Sequence, residues 1–280
     1  MSLTLTTLPG AAQQDLARAL DKLERQSLAA RLSGLVGQPI EALKARLPGP
    51  VQRGLDGPIR RALSTAMKTA LRTAPDRTPA GLASHWFHRG AAAATGIAGG
   101  TFGLPGTLVE LPVTTTLLLR QIAAIAAENG EDLSRPEIAA ECLKVFALGG
   151  RNPSDDGAES GYFAVRVALA EALKVAAGTG LAGLVLPGFV GAIAARFGGP
   201  VAIKLSAQAA PVLGAAAGAA VNLAFLEHFR TVAEGHFTVR RLERAHGQPA
   251  VREAYTALLE TRDARFNEPW ATPRPPARPA

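Results

Sequence analysis

AAAATGIAGGTFGLPGTLVELPVTTTLLLR, Ala91 to Arg120, is the stretch on which the reading of the fold turns. Between Arg89 and Arg120 it carries one charge, Glu110, in an apolar run loaded with glycine and interrupted by Pro105 and Pro112. With a rise of about 1.5 Å per residue, the arms flanking Leu104-Pro105-Gly106 are each roughly 20 Å long as helices, short of the ~30 Å hydrocarbon core of a bilayer. Neither arm is a good span by itself. Gly96 with Gly100, and Gly99 with Gly103, stand four apart, a spacing that lets two helix backbones approach closely. The stretch therefore reads as a helical hairpin folded back at LPG. It either forms the centre of a helical core or dips into one leaflet.

A second uncharged run, VAAGTGLAGLVLPGFVGAIAA from Val175 to Ala195, echoes the first, with its own corner at Leu186-Pro187-Gly188. As one helix it is ~30 Å long, enough to span, with Lys174 and Arg196 at its ends. Both corners are apolar, and apolar turn tips are unusual where loops meet water. Such tips need cover from protein or lipid. A third apolar segment, Leu205 to Leu226, places Gly214 and Gly218 in the same four-residue spacing, and Asn222 near its end reads as an interhelix hydrogen-bonding group.

Working outward, the pattern is helical throughout. Aromatic residues make up only 5% of the 280-residue chain while glycine alone numbers 29, so the core is built by small side chains packing helix on helix. No alternating strand pattern lasts more than a few residues. An amphipathic helix is expected from Asp15 to Val36, a short one around Ile40 to Leu47, and a third over Pro58–Thr73. There Ile59, Leu63, Met67 and Leu71 form one stripe, while Arg61, Lys68 and Arg72 lie almost opposite it. Arg60 flanks the stripe. Residues 74–84 read as a linker. After the hairpin, Asn129-Gly130 predicts a helix end, and Ser134 with Glu137 a capping box opening the next helix, which closes at Gly149-Gly150. RNPSDDGAES, Arg151 to Ser160, is a polar loop. A last helix is expected from Val251 to Phe266, opened by Pro249, and the tail beyond is proline-rich.

The charge is uneven. Thirteen basic residues face six acidic ones up to position 90, so the first third carries the whole excess of +7. A basic region ahead of apolar hairpins suits an anionic membrane surface. Nucleic acid is not expected as a partner, because this region offers only Trp86 and Phe87 for stacking and no recognisable module. Cys142, the single cysteine, excludes an internal disulfide and a cysteine zinc cluster, and its helical surroundings mark it as a small buried hydrophobe. The first twenty residues lack a basic segment followed by an apolar one, so no signal peptide is expected.

Little catalytic chemistry is legible. There is no GxSxG, no Walker loop, and no GxGxxG following a strand. Glu227 and Glu234, and His228 and His236, lack the spacing of a HExxH zinc motif, and neither metal nor cofactor is expected. Glu110 is either a helix-start acid facing water before Pro112, or a buried acid that orders the hairpin with Thr114 one turn on and Arg120 near the same face.

Taken together, GGTFGLPGTLVELPVTTTLLLRQIAAIAAENGEDLSRPE, then ECLKVFALGG, the polar loop, ESGYFAVRVALAEAL, and AAPVLGAAAGAAVNLAFLEHFRTVAEGHFTVRRLERAHG resemble the bacterial EcsC family over about Leu82 to Gly247. The positions carrying the likeness include Gly103, Leu104, Pro105, Glu110, Leu111, Pro112, Arg120, Gly161, Tyr162, Phe163, Arg166, Asn222, Gly235, His236, Phe237, Arg240 and Arg241. The family is named for a protein encoded beside an ABC transporter. The resemblance implies a hydrophobic protein without an established active site, membrane association, and a role in transport or envelope physiology.

The expectation is an all-α protein with two LPG-broken apolar hairpins. Residues 1–81 form a basic helical region and linker, 82–266 the main helical domain, and 267–280 a proline-rich tail. Its expected function is non-enzymatic, at the inner face of the cell membrane. Leu104, Pro105, Gly106, Leu186, Pro187, Gly188, Arg60, Arg61, Lys68 and Arg72 are the candidate lipid contacts, and a membrane transporter is a candidate partner. A candidate polar cluster gathers Glu110, Arg120, Tyr162, Arg166, Asn222 and His236. The alternatives are a soluble helical protein holding an apolar ligand such as a fatty acid, and a hydrolase-like enzyme using Glu110 and His236 in one cleft with Tyr162 and Arg166.

Overall fold

The structure, a computed structural model, describes residues 8–24, 28–37, 54–72, 110–149, 161–177, 187–208 and 215–267. Among these residues there are nine helices and no strand: α1 (Gly10–Glu24), α2 (Leu28–Val36), α3 (Asp56–Arg72), α4 (110–128), α5 (Pro136–Leu148), α6 (Gly161–Ala177), α7 (Pro187–Gln208), α8 (Ala215–His246) and α9 (Gln248–Asn267). The protein is all-α. The expected short helix over 40–47, the linker over 74–84, the polar loop over 151–160 and the proline-rich tail lie outside the described residues.

Two central helices organise the rest. α7 packs against α2, α3, α5, α6 and α8, and α8 packs against α1, α2, α5, α7 and α9. The main apolar core lies along them, with Phe146, Phe189, Phe197, Phe225 and Phe229 among its fully buried side chains. Phe146, Phe197 and Phe229 meet edge-on or tilted, with ring centroids 4.9 to 5.5 Å apart. A smaller apolar cluster joins α1 (Leu16, Leu20), the start of α6 (Tyr162, Phe163), the end of α8 (Val239, Leu242) and α9 (Val251, Tyr255). α8 is 32 residues long, roughly 48 Å at a helical rise, and serves both clusters.

Local chemistry explains several boundaries and corrects others. The amphipathic pattern from Asp15 to Val36 covers α1 and α2, and residues 25–27 between them lie outside the described residues. Gly130, at φ +79°, ends α4 where the Asn-Gly pair predicts, since glycine takes the left-handed region without a Cβ clash. The expected capping box at Ser134 does not form. Ser134 gives its N–H and hydroxyl to Asp132 Oδ1 (3.0 and 2.6 Å), and the extended Arg135 is the N-cap. The cause is Pro136, whose ring disfavours helical backbone in the residue before it and opens the helix. The sequence reading divides the apolar segments between Ala195 and Leu205, whereas α7 runs unbroken through Pro200. Buried Phe197 and Val201 on either side anchor it in the core, and this tertiary burial outweighs the proline's missing hydrogen bond.

Regions expected to be separate share one interior. Leu28 and Leu32 of α2 and Ile59, Leu63 and Met67 of α3 belong to the main core, and α1 lies across α8. The crossing is close because position 235 has no side chain: a Cβ there would stand 2.8 Å from Leu23 Cγ and 3.1 Å from the Ala19 carbonyl oxygen. Gly149 is tighter, since a Cβ would meet Phe229 Cε1 at 2.5 Å in a packed ring cluster. Gly149→Ala is expected to destabilise the fold by about 1–3 kcal/mol through overpacking. Urea denaturation of the variant measures this, and an unchanged midpoint would mean the two backbones are not held at this separation.

Candidate functional site

Among the described residues, buried ion pairs between helices gather in two places. The larger is a seam between the two apolar clusters, where α5, α6, α8 and the turn after α4 converge. α8 presents His236, Arg240, Glu243 and Arg244, spaced four, three and one apart so that they share one side of the helix. α5 contributes Glu141 and Lys144, α6 contributes Tyr162 and Arg166, and the turn contributes Glu131. His236 is fully buried at its centre.

Its Nδ1 lies 2.9 Å from Tyr162 Oη, and its Nε2 lies 3.3 Å from Glu141 Oε2, near enough for charge attraction but outside hydrogen-bond geometry. Arg166 grips Glu243 with two bonds, at 2.7 and 2.9 Å, and reaches Tyr162 Oη at 3.4 Å. Lys144 holds Glu141 Oε1 at 2.7 Å, and Arg240 reaches the same oxygen at 3.4 Å. Arg240 also donates to both oxygens of Glu131 (2.7 and 3.2 Å), and Arg244 caps Glu131 and the Asn129 carbonyl from the rim.

The electrostatics follow from this pairing. Burial works against the Glu141 carboxylate, yet His236, Lys144 and Arg240 hold its pKa far below the usual range. Glu131 is likewise held low against burial by Arg240 and Arg244. Burial pulls the His236 pKa down and prevails over the attraction of Glu141, so the imidazole is neutral. Burial also raises the Tyr162 hydroxyl well above its ordinary value, which makes it a poor nucleophile. The buried Cys142 thiol is pushed up to about 12 and is equally unreactive.

The second place is an ion pair inside the apolar core. Lys204 Nζ on α7 lies 3.0 Å from Glu110 Oε1 on α4, and the Lys204 side chain has 0% exposure. Thr114 donates to the same oxygen at 2.7 Å, while Glu110 Oε2 is buried without a hydrogen-bond partner among the described residues. The Phe225 ring lies beneath the ammonium, 5.3 Å from it to the centroid. Burial lowers the Lys204 pKa, and Glu110 opposes that shift.

These two places divide the candidate polar cluster. Tyr162, Arg166 and His236 come together, whereas Glu110 belongs to the other pair. Lys204, the partner of Glu110, sits at Phe225, and His236 lies eleven residues further along α8, roughly 16 Å away. Glu110 and His236 therefore do not share a cleft. Arg120 stays half-buried on α4 and joins neither group among the described residues, and Asn222 is fully buried on α8. Of the two readings of Glu110, the buried acid holds.

A family model described as the EcsC protein family matches residues 11–242. The chain belongs to the EcsC family. The match starts well before Leu82 and takes in α1 to α3, in line with their packing on the helices that carry the seam. No curated protein and no solved structure matches this EcsC protein.

The candidate lipid contacts are only partly described. Leu104, Pro105, Gly106 and Leu186 lie outside the described residues. Pro187 opens α7, and Gly188 beside it is exposed, with no atom of the described residues within 4 Å of where a Cβ would stand. On α3, Arg61 is exposed and Arg60 pairs with Asp56 at 2.6 Å; Lys68 and Arg72 belong to the same helix, but their side chains are outside the described set. One segment among the described residues, Gly188–Ala207, is long and apolar enough by length and composition to cross a membrane, and half of it is buried inside the protein.

The sequence reading missed Glu141, Lys144, Glu131, Glu243 and Lys204. Lys204 had a usable signal: it is the single charge between Arg196 and Glu227, as Glu110 is between Arg89 and Arg120. Two lone charges of opposite sign in apolar runs satisfy each other's need for a partner. The seam carboxylates had no comparable mark, because acids at helical spacing look the same whether they face water or a neighbouring arginine.

Proposed function

We propose that this EcsC protein is a non-enzymatic helical protein of the inner face of the cell membrane, held there by its apolar LPG corners and by its basic N-terminal third. The observation that carries this reading is Gly188, which is exposed at the start of α7 and follows the apolar sequence LVLP. An apolar sequence next to an exposed position is stabilised by an outside apolar phase. The basic side of α3 supports the same orientation. Its apolar stripe of Ile59, Ala62, Leu63, Ala66 and Met67 is consumed by the core, while Arg61 points outward. α3 then adds charge to the attachment and no inserted surface, each basic residue near an anionic leaflet contributing about 1 kcal/mol.

A non-enzymatic role agrees with how the ionisable groups are used. The seam and the Glu110–Lys204 pair spend their charges on one another, and the tyrosine and cysteine within reach are held in their unreactive protonated forms. The family resemblance adds a membrane transporter as the protein partner to look for. Anionic lipid is the ligand, and nucleic acid is not.

Co-sedimentation of the full-length protein with vesicles tests this. Vesicles containing anionic phospholipid are expected to pull the protein down, neutral vesicles less so, and the charge substitution Leu186→Asp should reduce binding to both by about tenfold or more. A protein left in the supernatant with anionic vesicles, and recovered wholly in the soluble fraction of cells, would overturn the proposal. Fatty acid co-purifying with such a soluble protein would favour the apolar-ligand reading instead.

A further inference from the structure

We propose that Tyr162, Arg166 and His236 form a proton-operated latch, in which uptake of one proton on His236 Nδ1 releases the start of α6 from α8. Donor bookkeeping carries the inference. Arg166 has only hydrogens to offer, so at 3.4 Å it donates to Tyr162 Oη. The hydroxyl hydrogen of Tyr162 must then point elsewhere, and the acceptor in reach is His236 Nδ1 at 2.9 Å. The imidazole hydrogen is thereby assigned to Nε2, where it faces the Glu141 carboxylate at 3.3 Å. The opposite tautomer would set a lone pair against that carboxylate.

In this arrangement the Tyr162 hydroxyl hydrogen has an acceptor in His236 Nδ1, and the Nε2–H faces the Glu141 carboxylate. A proton added to Nδ1 reverses one bond: Nδ1–H now donates to Tyr162 Oη, which already receives Arg166. The tyrosine hydrogen is left without an acceptor in a site sealed from water, and an unsatisfied buried donor is strongly disfavoured. Rotating Tyr162 out of the seam removes the conflict. Because Tyr162 stacks on Tyr255 of α9 (5.6 Å between centroids) and meets Phe163 edge-on, its departure loosens the smaller apolar cluster.

The surrounding charges set where this happens. α5 brings Glu141, which favours the proton, together with Lys144, which neutralises it, and Cys142, whose thiol is uncharged. α6 brings Arg166, and α8 itself brings Arg240 and Glu243. The turn brings Glu131, which Arg240 and Arg244 occupy. From α1, Lys22 is taken by Glu234 at 2.6 Å and Glu24 accepts from Tyr255 at 3.1 Å. Burial and the two arginines oppose protonation, so the latch stays closed at neutral pH and opens on the acid side of the usual histidine range.

The chain has only two tyrosines, and both sit in this cluster, so tyrosine absorbance reports on it. In the full-length protein, long-range nitrogen NMR of labelled histidines should show the Nε2–H tautomer of His236 at pH 7, and tyrosine exposure should rise as His236 titrates. His236→Gln, which keeps an acceptor for the Tyr162 hydroxyl but takes up no proton, should abolish the acid-dependent rise in tyrosine exposure. An Nδ1–H or doubly protonated ring at pH 7 would overturn the latch, and that readout needs no variant. So would tyrosines that stay buried after His236 has charged, exposure that tracks His228 instead, or an acid-dependent exposure that persists in His236→Gln.

Discussion

Lys204→Ala is expected to cost about 3–5 kcal/mol of folding stability, because it leaves the Glu110 carboxylate inside the core with no opposite charge. Among the described residues Glu110 would keep one hydrogen bond, from Thr114, and its second oxygen has no partner there. Water cannot take the place of the ammonium without entering the apolar surroundings of Phe225. Replacing both charges at once should behave differently. In Glu110→Leu with Lys204→Met the desolvation of two ions disappears together with their attraction, and buried pairs exchanged for apolar side chains of similar size are often neutral or gain about 1–4 kcal/mol. Chemical denaturation of the single and double variants, closed as a thermodynamic cycle, measures the coupling. Additive losses would show that the two side chains do not meet as described.

Acidification is expected to destabilise the protein in two successive ranges. His228 is buried with its Nε2 2.8 Å from the Gly149 carbonyl oxygen, and burial pulls its pKa from 6.5 down to about 4. The native state therefore refuses a proton that the unfolded chain accepts below pH 6.5. The stability contributed by this group is complete above pH 6.5 and is lost as pH falls to about 4, a total of about 3 kcal/mol at roughly 1.4 kcal/mol per unit. His236 shifts in the same direction and adds to the loss. Asp15, Glu131 and Glu141 have native pKa values below their ordinary ones, so their contribution survives above about pH 4.5 and is lost below it. Urea midpoints taken from pH 7 down to pH 4 should fall throughout. His228→Gln, which keeps a donor for Gly149, should flatten the upper part of that fall. A midpoint that stayed level between pH 6.5 and 4.5 in the unaltered protein would contradict the buried neutral state of both histidines.

Much of the architecture was legible residue by residue. Ile59, Leu63 and Met67 at helical spacing announced which side of α3 is buried, and Asn129-Gly130 announced the end of α4, because both depend on neighbours within a turn or two. Ser134 misled for the same local reason, since the capping pattern ignores the proline two residues on and the competing Asp132. The continuity of α7 through Pro200 could not be read, because the burial that sustains it comes from other helices. Of the candidate polar residues, Tyr162, Arg166 and His236 meet in the seam, whereas Glu110 pairs with Lys204 and Arg120 joins neither group among the described residues.

By itself the chain's order of small, apolar and charged residues determined an all-helical protein and which helix stripes are apolar, and its motifs carried the resemblance to one family. The first two are properties of spacing and composition, carried by each segment alone. Tertiary packing decided that Glu110 meets Lys204, that His236 lies between Tyr162 and Glu141, and that α1 to α3 share a core with the helices beyond them. Partners 94, 74 and 95 residues apart are chosen by how helices cross, and a crossing depends on side chains of several segments at once.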